Sequence, residues 1–181
     1  GLMDESIGSS QLEGASTTPV VAREMLLQRR EPRDRSERMI ANNHAGLRFI
    51  HEQRHQPLTS ILLLELHRRL TDGTLEHADQ SGRFRRPDER VEVVDHVHEE
   101  ILHVPPPADQ LAERMERLCA FANAGSESGQ GPFLHPVVKA IVLHFMLGYD
   151  HPFVDGNGRT ARALFYWAMA REGNARAEFL T

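Results

Sequence analysis

The sequence predicts an all-α domain with one small β-hairpin. Apolar residues recur at intervals of three and four along most of the 181 residues, the spacing of one helix face. Prolines, glycines and threonines that start or stop helices separate these stretches. Only residues 91–104 alternate instead. The length and the 40% apolar fraction indicate a single domain with a sizeable core.

Two short helices are predicted first. One surrounds Leu12, and the next opens at Pro19 and runs to about Arg30. Residues 31–34 (Glu-Pro-Arg-Asp) then break the helical pattern.

Two longer helices are predicted next. The third helix stops before Pro57 and is marked by residues at helical spacing: Ile40, Asn43, Leu47 and Ile50. Thr59 is the expected N-cap of a fourth helix over residues 61–70, and Gly73 its stop. Residues 74–90 are rich in charge and have the character of turn and loop.

The second half contains the predicted hairpin and three further helices. In the hairpin, Val91 and Val93 alternate with polar neighbours, and Ile101 and Val104 bracket a second stretch. The fifth helix follows the prolines at 105–107 and is marked by Leu111, Met115, Leu118 and Ala122. A small-residue loop covers 125–131. The sixth helix starts at His135-Pro136 and ends near Gly148; the last runs from about Arg159 to Arg171, with Gly173 as its C′ residue.

Residues 151–162 read His-Pro-Phe-Val-Asp-Gly-Asn-Gly-Arg-Thr-Ala-Arg and concentrate the chemistry of the chain. Gly156 and Gly158 allow backbone conformations closed to residues with a Cβ, so successive N–H groups can converge on one point. A helix that begins near Arg159 directs its unpaired N–H groups and its dipole at the same point. The turn therefore predicts an anion site, with phosphate as the natural ligand.

The other polar residues of this run suit a polyphosphate. Arg159 and Arg162 are three apart, so on a helix they can grip neighbouring phosphates. Asp155 is suited to holding a magnesium ion that otherwise binds water and phosphate oxygens. His151 is suited to general acid–base catalysis. The alternative interpretation is that the histidine and the arginines only cap and decorate a helix.

The run resembles the signature of the Fic family, H-[PFx]-F-x-[DE]-G-N-G-R-x-x-R, at every fixed position. The resemblance implies a Fic fold and a protein adenylyltransferase, in which His151 deprotonates a target hydroxyl that attacks the α-phosphate of ATP. It implies that Asp155 holds Mg²⁺ and that residues 156–158 (Gly-Asn-Gly) cradle the phosphates. Arg159 and Arg162 then hold the outer phosphates, and AMP ends on a Ser, Thr or Tyr hydroxyl.

Near the start of the chain, residues 9–14 (Ser-Ser-Gln-Leu-Glu-Gly) resemble the inhibitory motif of the same family, [ST]-x-x-x-E-[GN]. Ser9 and Glu13 are four apart and share one helix face, with Gly14 closing the motif. The resemblance implies that Glu13 pairs with Arg162 in place of the γ-phosphate. Residues 1–18 are then an inhibitory segment and residues 19–181 the Fic domain. A serine followed by a glutamate is also an ordinary capping pattern.

In Fic proteins a β-hairpin flap lies where residues 91–104 are predicted to form one. The resemblance implies that an extended target segment adds to the edge of this flap and presents its hydroxyl. Two other readings stay open: the same site could remove AMP from its target, or the chain could be a nucleotide-sensing regulatory module without significant turnover. The donor nucleotide and the target protein are not fixed by these residues.

Other polar positions allow more than one interpretation. His96, His98 and His103 could form a zinc site, but structural zinc wants four ligands and Cys119 is far along the chain, so solvated flap histidines are the simpler reading. Asn42 and Asn43 are either helix surface or part of a polar network near the nucleotide.

Composition narrows the class of protein further. The formal charge of −5 argues against nucleic-acid binding, and no apolar run approaches the length of a membrane span. The single cysteine excludes an internal disulfide and predicts a reducing compartment, the cytoplasm. A homo-oligomer is left open. Since the chain stops soon after the last predicted helix, we expect that a closing helix or a further domain can be missing from it.

Overall fold

The computed structural model describes residues 1–95, 98, 100–125 and 134–171. These residues form seven α-helices and one antiparallel hairpin, which confirms the predicted all-α class with a small β element. The helices are α1 (Leu2–Leu12), α2 (Pro19–Gln28), α3 (Arg35–Glu52), α4 (Ser60–Thr71), α5 (Leu111–Asn123), α6 (Pro136–Asp150) and α7 (Asn157–Arg171). The strands are β1 (Val93–Asp95) and β2 (Glu100–His103). None of the described helices combines the length and the apolar character that crossing a membrane requires.

Local capping explains where several helices begin. The side chains of Thr18, Asp34 and Thr59 accept hydrogen bonds from the first turns of α2, α3 and α4, as N-cap residues do. Pro19 occupies the first turn of α2, where its missing N–H leaves no gap in the helix.

Two apolar clusters hold the helices together. The larger cluster packs the five helices from α3 through α7 together. Each helix contributes a fully or almost fully buried side chain: Leu47, Leu66, Met115, Leu143 and Trp167. The smaller cluster packs α1 and α2 onto α3 through Ile7, Met25 and Ile40. Helix α1 therefore belongs to the folded body and is not a loose extension.

The hairpin pairs Val93 with His103, Val94 with Ile101 and Asp95 with Glu100, with an irregularity after Val93. Its strands are shorter than the predicted stretch, since Val91 and Val104 lie outside them. Ile101 is 55% exposed, so the hairpin presents apolar side chains to solvent rather than to the core.

Two predicted helix ends differ from the structure. Helix α6 continues past Gly148 to Asp150, because the chain leaves the helix only at His151 and Pro152. Helix α7 begins at Asn157 and not near Arg159, so Gly158 lies inside its first turn. The predicted C′ residue Gly173 and most of the predicted loop at 125–131 lie outside the described residues.

Candidate active site

The turn between α6 and α7 carries the residues of the predicted anion site. His151 adopts the left-handed conformation (φ 44°, ψ 58°) directly after α6. Its Nδ1 lies 3.0 Å from the carbonyl oxygen of Gly148. Because a carbonyl can only accept, Nδ1 carries the proton of the neutral ring and the lone pair is on Nε2. Nε2 is therefore the atom that can act as a base.

Asn157 closes the loop that follows His151. Its Oδ1 accepts a hydrogen bond from the Phe153 N–H at 3.0 Å, and its Nδ2 donates to the Phe153 carbonyl at 2.8 Å. The side chain is 3% exposed. Both ends of this amide are thus used to shape the turn, and only its backbone N–H remains for an anion.

His67 lies on the buried face of α4 and contacts the loop between α6 and α7. Its ring stacks on Phe153 with centroids 3.7 Å apart and 5° between the planes. Its Nδ1 accepts from the Gly82 N–H at 3.0 Å, so its Nε2 carries the proton and donates to the Asp155 carbonyl at 2.9 Å. Burial is the main cause that lowers the pKa of His67 to about 4. This residue was not predicted to belong to the site; the available signal was an ionisable side chain among the leucines of α4.

A neutral, buried His67 makes stability depend on pH. Its ordinary pKa of about 6.5 applies in the unfolded chain, so its stabilising effect is complete above that value and is lost as the pH falls toward 4. The free energy of unfolding is expected to fall by about 2 kcal/mol between pH 7.5 and pH 5 through this group. Denaturant titrations of the wild type and His67→Gln measure this, because the partly buried His44, His51 and His144 remain in both proteins. Parallel pH profiles of the two proteins would contradict the assignment.

The predicted anion site lies at the N-terminus of α7. Gly156 has φ +85°, and a Cβ there would lie 2.7 Å from Thr71 Cγ2, so both conformation and space require glycine. The first N–H groups of α7, at residues 157–159, have no partner within the helix and face the same end as its dipole. This geometry agrees with the predicted phosphate cradle.

The constraint on Gly158 in the structure differs from the one predicted. The expectation of an unusual backbone conformation is wrong for this residue, because it lies in the helix and only Gly156 of the two has a positive φ. A Cβ at Gly158 would instead collide with Oε1 of Glu13. A side chain at this position would therefore force the Glu13 carboxylate away from the N-terminus of α7.

Arg162 and Glu13 meet at this point, although 149 positions separate them in the chain. Arg162 Nη2 donates to Glu13 Oε1 at 2.6 Å, and its Nε donates to Ser9 Oγ at 2.6 Å. Nη2 also lies 3.1 Å from the Ser9 carbonyl oxygen. Gly14 (φ +88°) ends α1 just beyond this contact, as a C′ glycine does. The structure thus brings together the residues of the two sequence motifs.

Polar contacts fix α1 where Glu13 can reach Arg162. Asn43 Nδ2 donates to the Ser6 carbonyl at 3.0 Å, so this asparagine belongs to a network beneath α1 rather than to the helix surface. Ser10 Oγ lies 3.4 Å from the Met39 carbonyl of α3, and Asp4 forms an ion pair with Arg23 of α2. Asn42 reaches the Asp72 carbonyl at 2.7 Å.

Asp155 and Arg159 differ sharply in accessibility. The Asp155 side chain is 48% exposed beside the cradle, and its Oδ1 accepts from the Gly156 N–H. Arg159 is 1% exposed; its Nη1 donates to the Leu70 carbonyl at 2.8 Å and its Nη2 lies 3.8 Å from Asp155. In this arrangement the two arginines do not share one partner: Arg159 ties α7 to the end of α4, and Arg162 faces the anion site.

The two described flap histidines, His98 and His103, bind different partners. His98 lies 2.7 Å from Asp95, and His103 donates through Nε2 to the Tyr149 carbonyl at 2.7 Å. No group of three or more His, Cys, Asp or Glu side chains suited to a metal occurs among the described residues. His96, the third histidine of the zinc reading, lies outside them.

A helical bundle with a hairpin next to a histidine and a helix-terminal anion site defines the Fic-fold class, and solved structures agree. The Fic domain containing signaling protein from Bacteroides thetaiotaomicron VPI-5482 gives a TM-score of 0.76 at 24% identity, covering 91% of this chain and 60% of that one. Fic-1 (aa134–508) from C. elegans gives 0.71 at 24% identity, covering 91% and 46%. The chain belongs to the Fic/DOC family, whose family model matches residues 57–169.

Relatives with curated names share more sequence over a shorter region. "Protein adenylyltransferase Fic" of Drosophila grimshawi is 40% identical over 113 residues, and that of Drosophila melanogaster is 39% identical over 113 residues. Each match covers 61% of this chain but only 20% of the relative. The chain thus spans about a fifth of the length of these relatives.

Proposed function

We propose that this chain is a protein adenylyltransferase that moves AMP from ATP to a Ser, Thr or Tyr hydroxyl of a target protein. The observation that carries the proposal is the pairing of a proton-accepting His151 Nε2 with an anion site at the N-terminus of α7. The relatives named protein adenylyltransferase support it.

The reaction needs a base, a bound polyphosphate and a leaving group. His151 Nε2 takes the proton of the target hydroxyl while the hydroxyl oxygen forms a bond to the α-phosphorus of ATP. The bond from that phosphorus to the bridging oxygen breaks, and pyrophosphate leaves. The unpaired N–H groups at the start of α7, at residues 157–159, bind phosphate oxygens, and Arg162 binds the γ-phosphate once Glu13 has left it. Positioning and charge neutralisation supply most of the rate enhancement in phosphoryl-type transfer.

Asp155 fits the magnesium ion that ATP brings. Its carboxylate is about half exposed beside the cradle, and Mg²⁺ typically takes one or two protein carboxylates together with waters and phosphate oxygens. Bound there, the ion would neutralise charge on the phosphates. Arg159 holds Asp155 and the end of α4 in place, so its share in phosphate binding is indirect in this conformation.

Residues 1–18 act as an inhibitory segment of the Fic domain at 19–181. The Glu13 carboxylate occupies the position over Gly158 and Arg162 that a phosphate needs, so the nucleotide cannot take its productive pose while the pair is formed. Targets bind as an added strand along the flap at about residues 91–104. A cytoplasmic location, where the single buried Cys119 stays reduced, completes the proposal.

The test uses ATP labelled at either the α- or the γ-phosphate with the Glu13→Gly chain in a host lysate. AMP transfer predicts that α-labelled ATP alone gives protein label beyond that of the same lysate without the chain. Additional label from the γ-phosphate would mean phosphate transfer instead. Loss of AMP from a previously modified target would indicate the reverse reaction, and nucleotide-dependent partner binding without any label would indicate a regulatory module.

A further inference from the structure

Arg85 lies outside both sequence motifs, yet it is 7% exposed and contacts the turn that carries His151. Its backbone N–H donates to the Pro152 carbonyl at 2.9 Å, and its Nε donates to the His151 carbonyl at 2.8 Å. Its Nη2 lies 3.4 Å from the Asp150 carbonyl. One residue therefore serves three consecutive carbonyls at the point where α6 ends.

These carbonyls need a partner for a physical reason. The last carbonyls of a helix have no partner within it, and a cation near a helix C-terminus also interacts favourably with the helix dipole. His151 is in addition a non-glycine residue in the left-handed region, a conformation that is unfavourable for residues with a Cβ and persists only when its surroundings hold it. The guanidinium of Arg85 stabilises this conformation through its hydrogen bond to the His151 carbonyl.

The same guanidinium also contacts the segment that directly follows the flap. Nη2 donates to the Pro106 carbonyl at 2.5 Å, three residues after β2 ends. A second contact joins the same two parts of the molecule, because His103 of β2 donates to the Tyr149 carbonyl of α6. His103 thus joins β2 to α6, and Arg85 joins the segment that follows β2 to the turn that carries the base.

We propose that Arg85 is a positioning residue: it fixes His151 relative to the flap, so that a protein hydroxyl presented there meets Nε2. It acts through backbone carbonyls and touches neither the nucleotide nor the target. The inference rests on the proposed function for its effect on transfer, but not for its effect on the His151 ring. Transfer to a protein acceptor should therefore depend on Arg85, and nucleotide binding should not.

Arg85→Lys is the informative substitution. Lysine keeps the positive charge, but a single ammonium cannot reproduce a planar guanidinium that donates to the His151 carbonyl on one side and the Pro106 carbonyl on the other. Arg83→Lys is the matched control, since Arg83 binds Glu89 and Asp79 and makes none of these contacts.

The experiment compares both variants in the Glu13→Gly background. Protein labelling from α-labelled ATP should fall about 10- to 100-fold for Arg85→Lys, since small misplacements of reacting groups have effects of that order. The dissociation constant for Mg-ATP should stay within about twofold, as expected for a residue that does not touch the nucleotide. Arg83→Lys should change neither. Ring ¹⁵N NMR should show the Nδ1-protonated form of His151 in the parent and a mixture of tautomers in Arg85→Lys.

Several results would overturn the inference. Unchanged labelling and an unchanged His151 tautomer in Arg85→Lys would do so, as would a labelling loss matched by an equal loss of ATP binding or of folded protein. If Arg85→Lys does not fold, His103→Phe tests the same tie from the surface, and unchanged labelling would count against it. If the Glu13→Gly parent labels nothing, the proposed function has failed, while the NMR comparison still decides the role of Arg85.

Discussion

Glu13→Gly is expected to raise the rate of AMP transfer about 10- to 100-fold at saturating ATP. The hydrogen-bonded pair of Glu13 and Arg162 joins two charged groups, and such hydrogen bonds contribute about 1.5–3 kcal/mol, or roughly one to two powers of ten in an equilibrium. Removing the carboxylate frees Arg162 and clears the space over Gly158 for a phosphate. Initial rates of label transfer from α-labelled ATP measure the effect.

The matched control for this change is Gln11→Gly. It introduces glycine two residues before Glu13, in the last turn of α1, but the Gln11 side chain is exposed and donates to the Thr17 carbonyl instead of contacting Arg162. Its rate should remain that of the wild type. Equal rates for the wild type and Glu13→Gly would show that the carboxylate does not limit nucleotide use.

His151→Asn in the Glu13→Gly background is expected to lower AMP transfer at least about 100-fold, since a positioned base contributes about 10²–10⁴-fold. Asparagine is the sharper choice than alanine because it tolerates the left-handed conformation that His151 adopts, yet it cannot accept the proton. Mg-ATP binding should be retained, because in the proposed function the N–H groups of residues 157–159, and not this ring, bind the phosphates.

His55→Asn is the control for this pair of measurements. It makes the same chemical change at an exposed histidine between α3 and α4, outside the flap and the anion site. Its transfer rate should stay within a fewfold of the parent. Transfer by His151→Asn above about a tenth of the parental rate would remove His151 from the role of base, since base removal has larger effects.

Local rules predicted the order of the elements well, because each helix end has its own residues. Thr59 and Pro19 start helices as predicted, and the alternation at 91–104 did form a hairpin. The meeting of Glu13 with Arg162 was expected from the family resemblance alone. No spacing rule connects positions so far apart.

The errors and omissions come from contacts across the fold. Gly158 was expected to need an unusual dihedral, but its constraint is the Glu13 carboxylate, which a local pattern cannot contain. Arg159 and Arg162 share a helix face by spacing, yet they bind different partners. Arg159 donates to a carbonyl at the end of α4, and Arg162 donates to Glu13. Arg85 and His67 were not singled out because their partners are backbone atoms far along the chain.

In the proposed function Glu13 competes with the nucleotide from within the same chain. A tethered ligand acts at an effective concentration of about millimolar or more, which dilution of the protein does not change. The packing of α1 sets that value through the small cluster of Ile7, Met25 and Ile40. Substitutions in this cluster, far from any phosphate, should therefore tune the apparent affinity for ATP in graded steps.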